Sequence, residues 1–254
     1  MQTLFGWRST LLALSMIGVI TLAVIAWRLN ETLHETRPDS LQPHRLLTTW
    51  MEILAHHTFW AYGLYQTATF AGLYVFLAAS PFVFMEVLAY SALRYGSLMV
   101  LMSVFYIAGT FLCRYLLSVM SIRQTLLIGA LLSLTGGTLV AISAFMDWYH
   151  FWGLMLPYCI YIIGHGINQP CAQVGVMGPF PHAAGAASAL SSFLMTLGTF
   201  IIGFWLGRAM DDTVAPMALG IWFCGVSTAI IGFLMVARVA AYITPENQPC
   251  QRHS

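Results

Sequence analysis

Charge is nearly absent from this chain. Of its 254 residues 7% are charged, ten basic and nine acidic. A soluble domain carries about 25%. So few charges cannot clothe a water-exposed surface, and a soluble fold is excluded. Lysine is missing altogether, because all ten basic residues are arginine. That excludes a retinal Schiff base, a P-loop and any lysine-based catalysis. The five cysteines (Cys113, Cys159, Cys171, Cys224 and Cys250) show no CxxC or zinc spacing, so no metal site is expected. Four of them lie in apolar runs and read as small hydrophobes. No GxSxG, HExxH or histidine-box pattern occurs, and the chain does not read as an enzyme. An intramembrane enzyme built on His165 would have no paired nucleophile at a workable spacing. A net charge of +1 gives nucleic acid nothing to bind.

What is present is hydrophobic, 59% of the chain, and the lipid bilayer is its natural solvent. A helix needs about 20 apolar residues to cross the hydrocarbon layer. Seven runs qualify, at about 9–27, 59–80, 96–117, 124–145, 152–176, 185–207 and 215–237. Helices are required because lipid offers no partner for an open backbone. The first run is too long for a signal peptide, and no small-residue cleavage site follows it. Residues 28–57 differ, with Arg28, Glu31, Glu35, Arg37, Asp39, Arg45, Glu52 and four histidines. They form a polar linker with a short surface helix near Arg45 to Ala55. His56-His57 reads as an interfacial pair. Between Asp147 and Arg208 no charge occurs, a stretch too long for one helix; Pro179 and Pro181 break it.

Arginine placement sets the orientation. One side receives Arg28, Arg37, Arg45, Arg114, Arg123, Arg238 and Arg252; the other receives Arg8, Arg94 and Arg208. Seven against three puts the linker and the C-terminus in the cytosol. The sequon Asn30-Glu31-Thr32 then faces the cytosol and reads as chance. An outside start with almost nothing before the first span points to a chain that begins partway through a longer one.

Polar residues inside the spans fall in stripes. In the second span Tyr62, Gln66 and Thr69 share a helical face, with Tyr65 beside them. In the fifth, His165, Asn168, Gln169 and Gln173 do the same. Gln66 lies seven residues from the cytosolic start near Phe59, and Asn168 nine from the cytosolic end near Met177. Both are then roughly 10–14 Å deep. Polar groups are costly against lipid, so these faces turn inward. They either line one shared cavity or bond helix to helix at under ~1–2 kcal/mol each. His165 is the one histidine deep in a span, either a neutral packed ring or a proton-handling group. No Asp or Glu lies near the centre of a span; Glu86 and Asp147 fall near outer loops. Small residues from Ala183 to Ala189, including Gly185, and the Gly203-xxx-Gly207 pair predict close helix packing in the sixth span. Trp27, Trp50, Trp60, Trp148, Tyr149 and Trp152 read as interfacial anchors.

Several segments resemble one family in order along the chain. Gly6-Trp7-Arg8 before a span and Glu31-Thr32-Leu33 after it look like the sixth helix of major facilitator superfamily drug antiporters. Ser80-Pro81-Phe82-Val83 resembles a span end of the Bcr/CflA-type branch. The run Pro179-Phe180-Pro181-His182-Ala183-Ala184-Gly185-Ala186-Ala187-Ser188-Ala189-Leu190 resembles that branch's entry to helix eleven. Gly109, Arg114 and Arg123 are similar to the second copy of the superfamily's loop motif between helices two and three.

The resemblance implies an all-α polytopic membrane protein with seven transmembrane helices. It would be a major facilitator C-terminal six-helix bundle, residues 59–238, plus one preceding helix in residues 1–28. Residues 29–58 would be the central cytosolic linker and 239–254 a cytosolic tail. Implied with it are residence in a bacterial inner membrane and proton-driven efflux of a small drug or metabolite. No cofactor is implied beyond the proton gradient. The substrate pathway would run past Tyr62, Tyr65, Gln66, Thr69, His165, Asn168 and Gln169, with Arg114 and Arg123 gating or anchoring helices. Family members carry five further helices before these, including the acidic proton-coupling residue. The partner expected besides lipid is that N-terminal portion. The alternative is a truncated, non-transporting remnant, or a half-transporter needing a second chain.

Overall fold

Apolar runs bounded by capping residues become helices here. The computed structural model describes residues 2–28, 43–148, 151–211, 213–236 and 238. Most of the linker with its sequon, Tyr149, and the tail from residue 239 lie outside the described residues. The helices are α1 (Gln2–Arg28), α2 (Pro43–Ala55), α3 (His57–Pro81), α4 (Ala92–Val119), α5 (Ile122–Phe145), α6 (Phe151–Met177), α7 (Ala184–Ala209) and α8 (Ala215–Ile231). Among the described residues there is no strand. The chain divides into two units, Met1–Leu46 and Leu47–Ser254. The first is mainly α1, which is apolar on every side. The second holds the packed bundle.

Local chemistry sets the helix ends. Ser121 and Gln124 form a reciprocal capping box at the start of α5. Ser91 accepts the Arg94 N–H at the start of α4. His56 caps α3 with its ring, Nδ1 accepting the Thr58 N–H. Pro81 supplies no N–H, and beyond it the chain winds into a π-helical turn, Phe82–Val87. After Met177 the prolines interrupt the chain, and a 3₁₀ turn at Pro181–Ala183 leads into α7. Six of the described helices are long and apolar enough to cross a membrane. α6 is not among the six: it has the length, but His165, Asn168, Gln169 and Gln173 set it apart in polarity.

The packing of the bundle repeats. α3 packs on α7 and α8, while α6 packs on α4 and α5. α3 also meets α6, and α5 meets α8. Exchanging α3–α4–α5 for α6–α7–α8 maps this set of pairs onto itself. The two three-helix units, α3–α5 and α6–α8, thus make equivalent sets of contacts.

Glycine decides how close the helices come. A Cβ on Gly136 of α5 would lie 2.5 Å from the Tyr161 backbone nitrogen and 2.9 Å from the Pro157 carbonyl oxygen of α6. A Cβ on Gly109 of α4 would lie 2.6 Å from the Ile163 carbonyl oxygen. The glycines expected to pack in α7 behave differently. Gly185 and Gly207 have nothing within 4 Å of a built Cβ, and Gly203 meets only the Tyr74 ring, at 3.0 Å. Close approaches of one backbone to another lie at glycines of α4, α5 and α6, while in the small-residue run of α7 it is Ala187 that is buried.

Gly136→Val drives a side chain into the α6 backbone and should cost about 1–3 kcal/mol. Its melting temperature in detergent should fall by several degrees. Gly207→Ala should leave melting unchanged or raise it slightly, since the added methyl meets no neighbour.

Candidate functional site

The polar stripes of α3 and α6 meet, and most of their hydrogen-bonding capacity is used between helices. Tyr65, fully buried on α3, shares its single hydroxyl proton between two acceptors, the Leu126 carbonyl of α5 (2.9 Å) and Asn168 Oδ1 of α6 (2.7 Å). Asn168 in turn donates through Nδ2 to Ser133 Oγ of α5 (3.1 Å). Gly129 makes this possible: a Cβ there would sit 2.0 Å from Asn168 Oδ1. One amide thus joins three helices. A second chain of bonds runs from Gln66 Nε2 to Gln173 Oε1 (2.5 Å), then from Gln173 Nε2 to Ser188 Oγ of α7 (3.0 Å). Thr69 Oγ1 pairs with His165 Nδ1 at 3.2 Å, and Tyr161 donates to the Thr69 carbonyl at 3.3 Å. The Tyr62 ring lies on Gly175, which has no side chain to hold it off.

A cavity of about 570 Å³ opens beside this network. Phe70, Leu73 and Leu77 of α3 form one wall, and Met99, Met102, Ser103, Tyr106 and Ile107 of α4 another. α6 contributes Ile162, His165 and Gln169. Of the seven residues expected on a substrate pathway, His165 and Gln169 therefore reach this wall. Tyr62, Tyr65, Gln66, Thr69 and Asn168 are buried between helices. The His165 ring is flanked by Phe70 and Tyr106, with centroids 6.3 and 5.9 Å away. Gln169 reaches Met195 Sδ of α7 at 3.7 Å through Nε2, while its Oε1 is buried with no hydrogen-bond partner among the described residues. Buried polar atoms are nearly always paired, so an open acceptor on a cavity wall is informative. Among the described residues no acidic or basic side chain lines this cavity apart from His165. A second groove, about 440 Å³ between α7 and α8, is walled by Ile201, Ile202, Trp205, Leu219, Trp222 and Phe223 alone. The polar groups these side chains carry are the indole N–H donors of Trp205 and Trp222.

Sequence reasoning passed over the α4 wall. Met99, Met102 and Tyr106 sit in an apolar run whose pattern is that of any lipid-embedded helix. Ser133 and Ser188 carried no periodic signal either, although each completes a bond begun by a predicted residue. Arg114 and Arg123 are both exposed, on either side of the turn from α4 to α5.

Comparison with known proteins bears on what this arrangement serves. The sequence model of the Major Facilitator Superfamily matches residues 1–203. Multidrug resistance protein D of Escherichia coli is 27% identical over 205 residues, covering 80% of this chain and 50% of that protein. Multidrug resistance protein MdtL of Salmonella paratyphi A is 26% identical over 238 residues, covering 93% of this chain and 57% of its own. An uncharacterized transporter of Rickettsia felis is 24% identical over 235 residues. The chain spans about half the length of the curated relatives it matches.

Network and wall residues should respond differently to truncation. Asn168→Ala strands Ser133 and removes one of the two Tyr65 acceptors, and should cost about 1–3 kcal/mol. Gln169→Ala removes only a weak contact to sulfur and should stay within about 0.5 kcal/mol of the parent. Thermal unfolding in detergent of the two variants side by side checks this.

Proposed function

The chain belongs to the major facilitator superfamily, and from that premise we propose that it works in proton-coupled efflux of drugs or other small amphiphilic molecules. In this reading α6 is a seventh span. Its 27 residues reach about 40 Å at 1.5 Å per residue, ample for a bilayer. Its polar side chains turn onto α3, α5, α7 and the cavity. The seven spans would then correspond to helices six to twelve of a twelve-helix carrier of the Bcr/CflA-type branch. The ordered motifs from Gly6 to Leu190 and the half-length match to multidrug resistance proteins support that alignment. The arginine distribution supports a cytosolic C-terminus in an inner membrane.

The observation that carries the functional reading is the cavity wall. An apolar, aromatic and methionine-rich surface with few polar groups suits an amphiphilic ligand without demanding one shape. Gln169 Oε1 offers an acceptor to an N–H or O–H on such a molecule. His165 offers its second ring nitrogen, with Nδ1 engaged by Thr69. Tyr62, Tyr65, Gln66, Thr69 and Asn168 serve the pathway by fixing the helices that carry these two groups. Arg114 and Arg123 anchor the cytosolic ends of α4 and α5. Alternating access would rock the six-helix bundle of residues 59–238 against an N-terminal bundle, with the site between them.

The half-length match favours one further reading, that transport needs a second polypeptide supplying the other bundle. Expression in a bacterial strain stripped of its own drug exporters tests both. The chain would be produced alone and with the N-terminal half of the Salmonella MdtL relative, with membrane insertion checked by immunoblot. Severalfold higher drug tolerance is expected for the pair, reduced by Gln169→Ala or His165→Ala at equal insertion. Tolerance that stays at background in both strains, with protein in the membrane, counts against transport.

A further inference from the structure

Cys113 of α4 and Cys171 of α6 face each other with their sulfurs 3.4 Å apart. Both are buried, 4% and 2% exposed, and both are free thiols. The Cys113 thiol points to the Ile167 carbonyl at 3.7 Å. Neither joins the polar network of Tyr65, Asn168 and Gln173. Their approach is imposed by the backbone. On the same two helices a Cβ on Gly166 would lie 2.8 Å from the Tyr106 carbonyl oxygen and 3.1 Å from the Gly109 Cα. With no side chain between them there, α4 and α6 hold the two thiols in contact.

We propose that Cys113 and Cys171 form a dithiol site for a trivalent thiophilic centre of the arsenoxide class, one atom of which bridges α4 to α6. Soft thiol ligands select soft acceptors. The bite distance selects the geometry. An atom bonded to two sulfurs at ~2.3 Å, the length found at zinc thiolates, subtends 3.4 Å at an angle of about 95°. That is the pyramidal angle of a trivalent centre. A linear two-coordinate cation would need the sulfurs ~4.6 Å apart at the same bond length. A disulfide needs them at about 2.05 Å, an approach of more than 1 Å, and an oxidant to take two electrons.

The reaction is balanced without redox. Two S–H bonds break and two As–S bonds form. The As=O oxygen leaves as water with both thiol protons, and arsenic stays trivalent. Tyr106, Ile107 and Gln169 of the cavity wall precede the two cysteines by about two turns or less, so the pair lies within about 11 Å of that wall along the helices. A bridge there ties the α4 wall of the cavity to its α6 wall. This site does not depend on the transport reading.

The full chain in detergent tests the proposal with phenylarsine oxide as the probe. Intact mass should show one adduct formed with loss of water, and denatured thiol counting should show two cysteines lost per arsenic. Excess monothiol should leave the adduct in place, whereas 2,3-dimercaptopropanol should remove it. Cys113→Ser or Cys171→Ser should raise the half-saturating concentration at least about tenfold, because the second bond is intramolecular. The single-cysteine adducts should also yield to monothiol. Equal sensitivity of parent and variants, or an adduct that monothiol strips from the parent, would overturn the site. Should either variant fail to fold, peptide mapping of the parent decides. Arsenic joining the Cys113 and Cys171 peptides supports the site, and arsenic elsewhere or absent overturns it.

Discussion

The bundle depends on one amide held where a side chain is missing. Asn168 fits against α5 because Gly129 has no Cβ, and once there it bonds both Tyr65 of α3 and Ser133 of α5. In lipid the apolar effect gives helices little reason to prefer each other over acyl chains, so close packing and polar bonds must do it. The α5–α6 crossing supplies both. Gly136 admits the Tyr161 backbone, and Gly164 of α6 admits the Gly129 carbonyl and Ser133. Each interhelical bond adds only about 1 kcal/mol. A buried amide left unpaired would cost more than that, so the network chooses one register for three helices at once.

Much of this was legible from spacing, and the misplaced parts have a geometric cause. Apart from α1, which begins at Gln2 rather than residue 9, the helix limits follow the apolar runs to within a few residues because lipid forces nearly every run to be helical. The inward turn of His165, Asn168 and Gln169 follows from their spacing too. The partner of each residue does not. At about 100° per residue, Asn168 and Gln169 point about 100° apart on α6, with His165 between them. One edge of that stripe meets α5 and the other opens to the cavity. Periodicity defines the stripe; only the positions of α4 and α5 decide which edge is sealed. Tyr62 is similar, since its place on Gly175 depends on a residue more than a hundred positions away.

The small residues of α7 are legible only in part, for a related reason. In the alanine and glycine run Ala187 is buried and Ala183 and Ala186 pack on the core, while a Cβ on Gly185, or on Gly207 further along, would meet nothing within 4 Å. The working glycines, Gly109, Gly129, Gly136 and Gly166, lie in α4, α5 and α6, outside any run of alanines. Their spacing does not single them out, and the role of each appears only when the facing helix is found beside it. The cysteines follow the same rule. Read singly, Cys113 and Cys171 are small hydrophobes; the Gly109–Gly166 approach makes them a pair.

These contacts also divide the bundle by stiffness, and that bears on how a carrier could move. α3, α5 and α6 are joined by Asn168 and Tyr65, and α7 joins them through Gln66, Gln173 and Ser188. α4 is held to α6 by backbone approach at Gly109 and Gly166, and it carries an apolar wall of the cavity. A unit bonded in this way resists internal sliding, because any shift of α6 along α5 would break several buried bonds together. Rocking as one body costs none of them. The proposed alternating access therefore asks the bundle for the motion its own bonding leaves least expensive. It also accords with the few polar groups that face the cavity: most are committed to keeping its walls in register, and Gln169 Oε1 stands there without a hydrogen-bond partner among the described residues.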